Sequence, residues 1–404
     1  MDYQELPEPL RIKMNRREAL STAGKIAIGV VIAGAVAGLG GYYGAQLMAP
    51  KPKKRYFFAL SSIAANDPWL AIYMDSFRWY CEDMGFAYTV TAPLSYSVEE
   101  QISQCKRMID AGIDGLIVSA VDMKGCREIA DYAYENKVPL FTTNSDIDSP
   151  YPKVLMYVGY SGVKGSATLG KLTLEYLKRK YGEPKGVVLN IMGDPKCSEG
   201  IFRSKGFHSV LDKYPDIHVI DQIGGWTREG AMKIIQRLIP KEKIDVIYTA
   251  NGNMGMGVIE GLKLLGEDPK KYYILTIDAF PDVLDEIRKG TIAAAFDQTP
   301  TFYNRIAMEY MVRYIKEGEK ALPKKGQTIT GDMLKLSTGK KHYGVDPWAK
   351  PIWAPAIITD VHDEFPDLFE YSHPWFLTQG VLVTKENAND PALWGNIPIP
   401  GWKK

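Results

Sequence analysis

From residue 55 to residue 316, short apolar runs alternate with amphipathic stretches, and that alternation leaves few architectures open. A buried strand needs roughly four to eight apolar residues, and helical periodicity between such runs supplies cover for the sheet they form. The spacing predicts strands over 55–61, 87–91, 115–119 and 138–142, with helices over 69–84, 98–111 and 124–136 between them. Leu70, Met74, Phe77 and Cys81 recur on one face of the first helix, as do Ile102, Cys105, Met108 and Ile109 on the second. A second block predicts strands over 154–158, 186–191, 218–223, 245–249, 273–277 and 293–297, with helices over 164–181, 201–214, 230–238, 254–265, 283–289 and 301–316. Strand–helix repeats imply parallel sheets covered by helices, so the fold class is α/β, with two lobes and a cleft between the carboxyl ends of their strands.

Residues 318–378 break the pattern; they are rich in Pro, Trp, Tyr and charge, and are expected to form an extended crossover or an interaction surface. Trp348, Trp353 and Trp375 are expected to pack that segment onto a lobe, and 379–385 predicts one more strand.

The N-terminus has a different character. Arg11, Lys13, Arg16, Arg17 and Lys25 precede a stretch from Ile26 to Pro50 without a charged residue. A basic flank before a long apolar run marks an export signal or a membrane anchor, and Arg16-Arg17 just ahead of it is similar to a twin-arginine signal. Residues 26–49 are long enough to span a bilayer, and no clean cleavage site follows them, so a retained anchor is favoured over removal. Residues beyond about 55 are then expected to work outside the cytoplasm, in the periplasm or at the cell surface.

A net charge of +1 argues against nucleic-acid binding driven by phosphate neutralisation. Four cysteines in 404 residues exclude a disulfide-dense scaffold, and five histidines without metal-ligand spacing make a metal centre unexpected. Cys105 and Cys126 fall on helices that the crossover rule puts on one face of the first sheet, which makes them a candidate disulfide. Gly252, Gly255 and Gly257 do not have the spacing of a dinucleotide-binding loop.

Residues just past strand ends line the ligand crevice of a parallel sheet. Here they are Asn66-Asp67-Pro68-Trp69, Ser119, Asp122, Asn144, Ser145 and Asp146 in the first block, and Arg203, Trp226, Asn251, Asp278 and Gln298 in the second. Asp67, Asn251 and Asp278 also stand where helix N-caps are expected. Carboxylates and amides exchange several hydrogen bonds with vicinal hydroxyls, an arginine adds a rigid fork, and indole faces cover the C–H face of a sugar ring. The inventory suits a neutral polyhydroxylated ligand better than a phosphate, which calls for a Gly-rich loop with Lys or a dense basic cluster.

These residues, in this order, resemble the ribose/galactose type of periplasmic sugar-binding protein, the substrate-binding component of ABC importers. The resemblance covers about 55–317 and 379–390. It is carried by Asn66-Asp67-Pro68-Trp69, Gly112-Ile113-Asp114-Gly115-Leu116-Ile117, Val138-Pro139-Leu140, Arg203-Ser204-Lys205-Gly206-Phe207, Thr249-Ala250-Asn251 with Met254, Ile277-Asp278-Ala279-Phe280-Pro281 and Gln298-Thr299-Pro300. It implies the type I periplasmic-binding-protein fold, with two Rossmann-like lobes joined by a three-segment hinge near 155–160, 297–301 and 375–380. Residues 55–157 with 300–378 are expected in lobe 1, and 158–299 with 379–404 in lobe 2, after the signal or anchor of 1–54. The ligand contacts implied are Asp67, Trp69, Ser119, Asn144, Arg203, Trp226, Asn251, Asp278 and Gln298. Where members often carry an Asp-Arg pair after the fourth strand, this chain has Asn144-Ser145. The implied role is a non-enzymatic receptor without cofactor or metal. It would take a neutral sugar or polyol between Trp69 and Trp226 and deliver it to an ABC transporter permease, with the N-terminal segment in the membrane. A membrane-anchored sugar sensor presenting its ligand to a signalling partner is the alternative.

Overall fold

The computed structural model describes residues 55–399 apart from Asn66 and Ser95, so the signal or anchor expected in 1–54 lies outside the described residues. The first block runs β1 (Phe57–Ser61), α1 (Pro68–Met84), β2 (Ala87–Thr91), α2 (Val98–Asp110), β3 (Gly115–Val118), α3 (Arg127–Glu135), β4 (Leu140–Thr143) and β5 (Met156–Tyr160). The second runs α4 (Gly162–Tyr181), β6 (Gly186–Met192), α5 (Ser198–Leu211), β7 (Ile217–Ile223), α6 (Arg228–Leu238), β8 (Val246–Thr249), α7 (Gly252–Leu264), β9 (Tyr273–Ile277), α8 (Pro281–Arg288) and β10 (Ala294–Asp297). After it come α9 (Pro300–Glu317), β11 (Thr328–Ile329), β12 (Ala356–Asp360), the single turn α10 (Val361–Glu364), β13 (Pro374–Thr378) and β14 (Val381–Val383).

Two sheets result, ordered β11-β12-β13-β5-β4-β3-β1-β2 and β14-β10-β9-β8-β6-β7. The strands of the strand–helix repeats pair in parallel, and antiparallel pairing is confined to β11–β12, β12–β13 and β10–β14. Helices cover the sheets, so β3 (GLIV), β4 (LFTT) and β8 (VIYT) are buried along their whole length. The local chemistry of α1 shows how the elements are bounded. Asp67 Oδ1 accepts from Trp69 N at 2.8 Å, Pro68 fills the first helical position where its missing N–H costs nothing, and Gly85 ends the helix at φ 70°.

The boundary expected at residue 157 would cut β5. Its pairing with β4 and β13 keeps it in the first sheet, so the first crossing between lobes follows Tyr160. The second joins β10 to α9, which packs against α1, and the third is the short link from β13 to β14. Segment 318–378 does not run as a bare crossover. It adds β11, β12 and β13 to the first sheet, and Trp348, Trp353 and Trp375 are buried, Trp348 against Tyr80 of α1 and Trp375 against Tyr157 of β5.

The main core extends through both lobes, and a second apolar cluster joins them beside the crossings. Phe202 of α5 stacks on Phe365 with ring centroids 4.4 Å apart, and Trp375, Tyr157, Phe369 and Val361 surround the pair. The candidate disulfide does not form. Cys105 and Cys126 are buried free thiols, and Cys126 Sγ is turned to Gln101 Oε1 at 3.3 Å. Gln101 also reaches the carbonyl of Ser119 and the amide of Val121. Among the described residues, no helix is long and apolar enough to cross a membrane.

Candidate functional site

The cavity between the lobes measures about 430 Å³ including its mouth, and residues past the strand ends of both sheets line it. From the first lobe come Asp67, Trp69, Tyr96, Asn144 and Ser145, and from the second Glu199, Arg203, Trp226, Asn251 and Asp278, with Gln298 on the crossing. Of the nine ligand contacts that the resemblance implies, Ser119 alone does not line it, and of the other residues past strand ends Asp122 and Asp146 do not either. The Ser119 hydroxyl instead accepts from Asn144 Nδ2 at 3.1 Å, so Ser119 positions a lining residue.

Backbone geometry aims these side chains. Asn144, Trp226 and Asp278 all have positive φ, at 63°, 66° and 69°. Asn and Asp tolerate the left-handed region, but for a tryptophan it costs on the order of 1–3 kcal/mol. The surroundings hold Trp226 there: Asn251 Nδ2 and Asn253 Nδ2 each donate to its carbonyl at 3.3 Å. Gly193 leaves the space its indole occupies, since a Cβ at that position would overlap the ring. Tyr157 OH donates to Asn144 O at 2.7 Å, which fixes the corresponding turn in the first lobe.

Asp67 and Asn251 act both as helix caps and as cleft residues. Asn251 Oδ1 accepts from Met254 N at 2.9 Å at the start of α7, while its Nδ2 reaches across the cleft to Asp67 Oδ2 at 3.3 Å. Asp278 does not cap α8, whose N-cap is Phe280; its Oδ1 accepts from Gln298 Nε2 at 3.0 Å. Trp69 stacks on Tyr73 with centroids 5.4 Å apart and donates from Nε1 to Gln298 O at 3.0 Å.

Arg203 is buried and engaged with its neighbours through Nε and Nη1. Nε donates to Glu199 Oε2 at 2.9 Å, Nη1 to Ala250 O at 2.6 Å, and Nη1 stands 3.7 Å from Asp278 Oδ2. Its guanidinium carbon lies 5.4 Å from the Trp226 ring centre and 5.7 Å from that of Tyr160. Burial pushes Asp67 up to about 7, with the charge of Asp278 adding and the amides of Trp69 and Leu70 opposing. Burial likewise pushes Glu199 up to about 7 against the pull of Arg203, and raises Asp278 against the same arginine.

Glu199 is the charged lining residue absent from the set expected from sequence, which also lacks Tyr96 and Cys197. The helix expected from residue 201 starts at Ser198 instead, which puts Glu199 in its first turn and four residues before Arg203. An acid at i with an arginine at i+4, next to a strand exit, is the signal that was available. Glu199 Oε1 is buried and has no hydrogen bond of normal length, although the Tyr160 hydroxyl is near enough to lower its pKa.

Comparison with known proteins agrees with this architecture. The ribose import binding protein of Bacillus subtilis (strain 168) is 24% identical over 290 residues, which is 71% of this chain and 89% of that protein. The crystal structure of a galactofuranose binding protein superposes with a TM-score of 0.65 at 19% identity, covering 82% of this chain and 96% of that one. An ABC transporter periplasmic solute binding protein from Actinobacillus succinogenes 130z, solved with bound D-allose, gives 0.64 at 18% identity, covering 83% and 99%. The periplasmic binding protein domain profile matches residues 58–320. The two-lobed α/β fold, a cleft lined from both sheets and this match together make the chain a member of the periplasmic binding protein domain family, a binding protein rather than an enzyme.

Proposed function

We propose that the protein is an extracytoplasmic receptor that closes on a sugar or polyol between its lobes and delivers it to the membrane subunits of an ABC importer. Family membership implies the extracytoplasmic location. The observation that carries the reading is one cavity lined by Asp67, Trp69 and Asn144 of one lobe and by Arg203, Trp226, Asn251 and Asp278 of the other. A ligand held by both sets favours the closed arrangement over any open one, because only closure lets it make all its contacts. The three crossings then serve as the hinge.

In this reading Trp69 and Trp226 cover the ring of the ligand. Asp67, Asn144, Asn251, Asp278 and Gln298 exchange hydrogen bonds with its hydroxyls, and Arg203 orders the two acids beside it. Ser119 acts one step back, through Asn144. Each hydroxyl desolvated without a partner costs about 1–3 kcal/mol, so selectivity follows the number and placement of these groups.

A thermal-shift screen of the purified chain against pentoses, hexoses, polyols and cyclitols, followed by calorimetry, tests binding. Uptake of the labelled hit by cells with and without the protein tests delivery. A raised melting temperature with protein-dependent uptake is expected. A response to no carbohydrate would overturn the receptor reading, and binding without uptake would replace the importer role with a membrane-anchored sensor.

A further inference from the structure

The set read from sequence held two carboxylates and one arginine, a balance that suits an uncharged ligand. Glu199 changes that balance. Asp67, Glu199 and Asp278 all line the cavity, and Arg203 is the one cationic side chain among its lining residues. That guanidinium is shared between Glu199 and Asp278, and it also donates to Ala250 O. Asp67 receives hydrogen bonds from the Trp69 amide and the Asn251 side chain, both uncharged. Glu199 is 3% exposed and has a buried oxygen without a hydrogen bond of normal length, and Trp69, Tyr96 and Trp226 surround the same space.

Buried carboxylates in excess of their cations must either take up protons or meet a positive charge. Hydroxyls alone supply dipoles, whereas an ammonium supplies three donors and the missing charge, and aromatic faces add to its attraction. We propose that the natural ligand is an amino-bearing sugar or polyol whose ammonium group is held by Asp67, Glu199 and Asp278. This rests on the receptor reading and narrows its ligand class. The other titratable groups facing these carboxylates are Tyr96 beside Asp67, Tyr160, Tyr157, Tyr303 and Cys197 around Glu199, Tyr248 near both Glu199 and Asp278, and Asp297 behind Asp278.

The test is calorimetry at pH 7.0 on matched pairs of amine and hydroxyl congeners: glucosamine with glucose, galactosamine with galactose, mannosamine with mannose, and an aminocyclitol with inositol. N-acetylated amines serve as the uncharged control. The amine member of at least one pair is expected to bind ten-fold or more tightly than its hydroxyl and acetylated congeners. Glu199→Gln is expected to reduce that ratio at least three-fold. In the unaltered protein, affinity for the amine is expected to fall at least three-fold from pH 7.0 to 5.5, as the carboxylates gain protons while the amine keeps its charge. A hydroxyl congener that binds as tightly as its amine, or an amine affinity that does not fall with pH, would overturn the proposal and leave the receptor standing. Silence from every pair would overturn both.

Discussion

Asn251 Nδ2 lies 3.3 Å from Asp67 Oδ2, an amide of the second lobe donating to a carboxylate of the first across the cleft. Each side chain also caps a helix, Asp67 with its other carboxylate oxygen and Asn251 with its amide oxygen, so the N-termini of α1 and α7 converge on the cavity from opposite lobes. The two groups thus meet with their positions within their own lobes already set by these caps.

Asp67 can be dissected by two substitutions. Asp67→Ala removes the α1 cap and should lower stability by about 1 kcal/mol in urea denaturation. Asp67→Asn keeps a capping oxygen, so stability should stay within about 0.5 kcal/mol, while ligand affinity falls roughly ten-fold. Wild-type affinity in Asp67→Asn would show that the carboxylate is not a ligand contact.

Arg203→Ala leaves Glu199 and Asp278 buried without their cation. It should destabilise the protein by about 3–5 kcal/mol and abolish measurable binding. Asp278→Ala should also abolish binding, with a smaller stability cost because Arg203 keeps Glu199. Near-wild-type affinity in either variant would remove that residue from the site.

At Gly193 a single methyl group should be felt. Its Cβ would overlap the Trp226 indole, so Gly193→Ala should displace the ring at a cost of about 1–3 kcal/mol. A shifted tryptophan emission and at least ten-fold weaker binding are expected from a folded protein. Unchanged emission and affinity would mean that the indole position does not matter.

The contact between Phe202 and Phe365 ties α5 of the second lobe to the 361–378 segment of the first. Phe365→Ala should cost about 3–5 kcal/mol. It should also raise the radius of gyration of the ligand-free protein in X-ray scattering, as the lobes lose apolar contact beside the hinge. An unchanged radius would show that this cluster stabilises the fold without biasing closure.

His208 gives a pH signature independent of ligand. Its Nε2 meets Asp221 at 2.9 Å and its Nδ1 meets Asp212 at 2.8 Å. The Asp221 hydrogen bond, with Asp212 adding and partial burial opposing, pushes His208 up to about 9. The folded state thus favours the protonated ring, so the stabilisation is complete below about 6.5 and is lost as pH rises through 9. Screening at this partly exposed site limits it to on the order of 2 kcal/mol. Denaturation curves at pH 6 and pH 9.5 should differ by that amount, and His208→Gln should flatten the difference; an equal slope in the variant would refute the assignment.

The amino-acid sequence by itself determined the strand–helix alternation, because helical faces and short buried strands leave distinct periodicities at 3.6 and near-continuous apolar spacing. It also determined most of the cleft. Asp67, Trp69, Asn144, Trp226, Asn251, Asp278 and Gln298 all follow strand ends, and in a parallel sheet that position alone brings distant residues to one edge. Tertiary structure decided what local pattern does not encode. β11 is a two-residue edge strand paired antiparallel to β12, and β12 pairs antiparallel to β13, with Thr328 and Ile357 exposed, so both take shape only as additions to the first sheet. Glu199 reads as an ordinary acid in a first helical turn until folding buries it beside Arg203 and Asp278. Ser119 and Gln101 had the right residue types at plausible places, but only packing assigned one to orient Asn144 and the other to the space beside Cys126. The common physical reason is range: periodicity and capping act within a few residues, whereas charge balance, register at a sheet edge and the filling of a cavity depend on groups that meet only when the chain is folded.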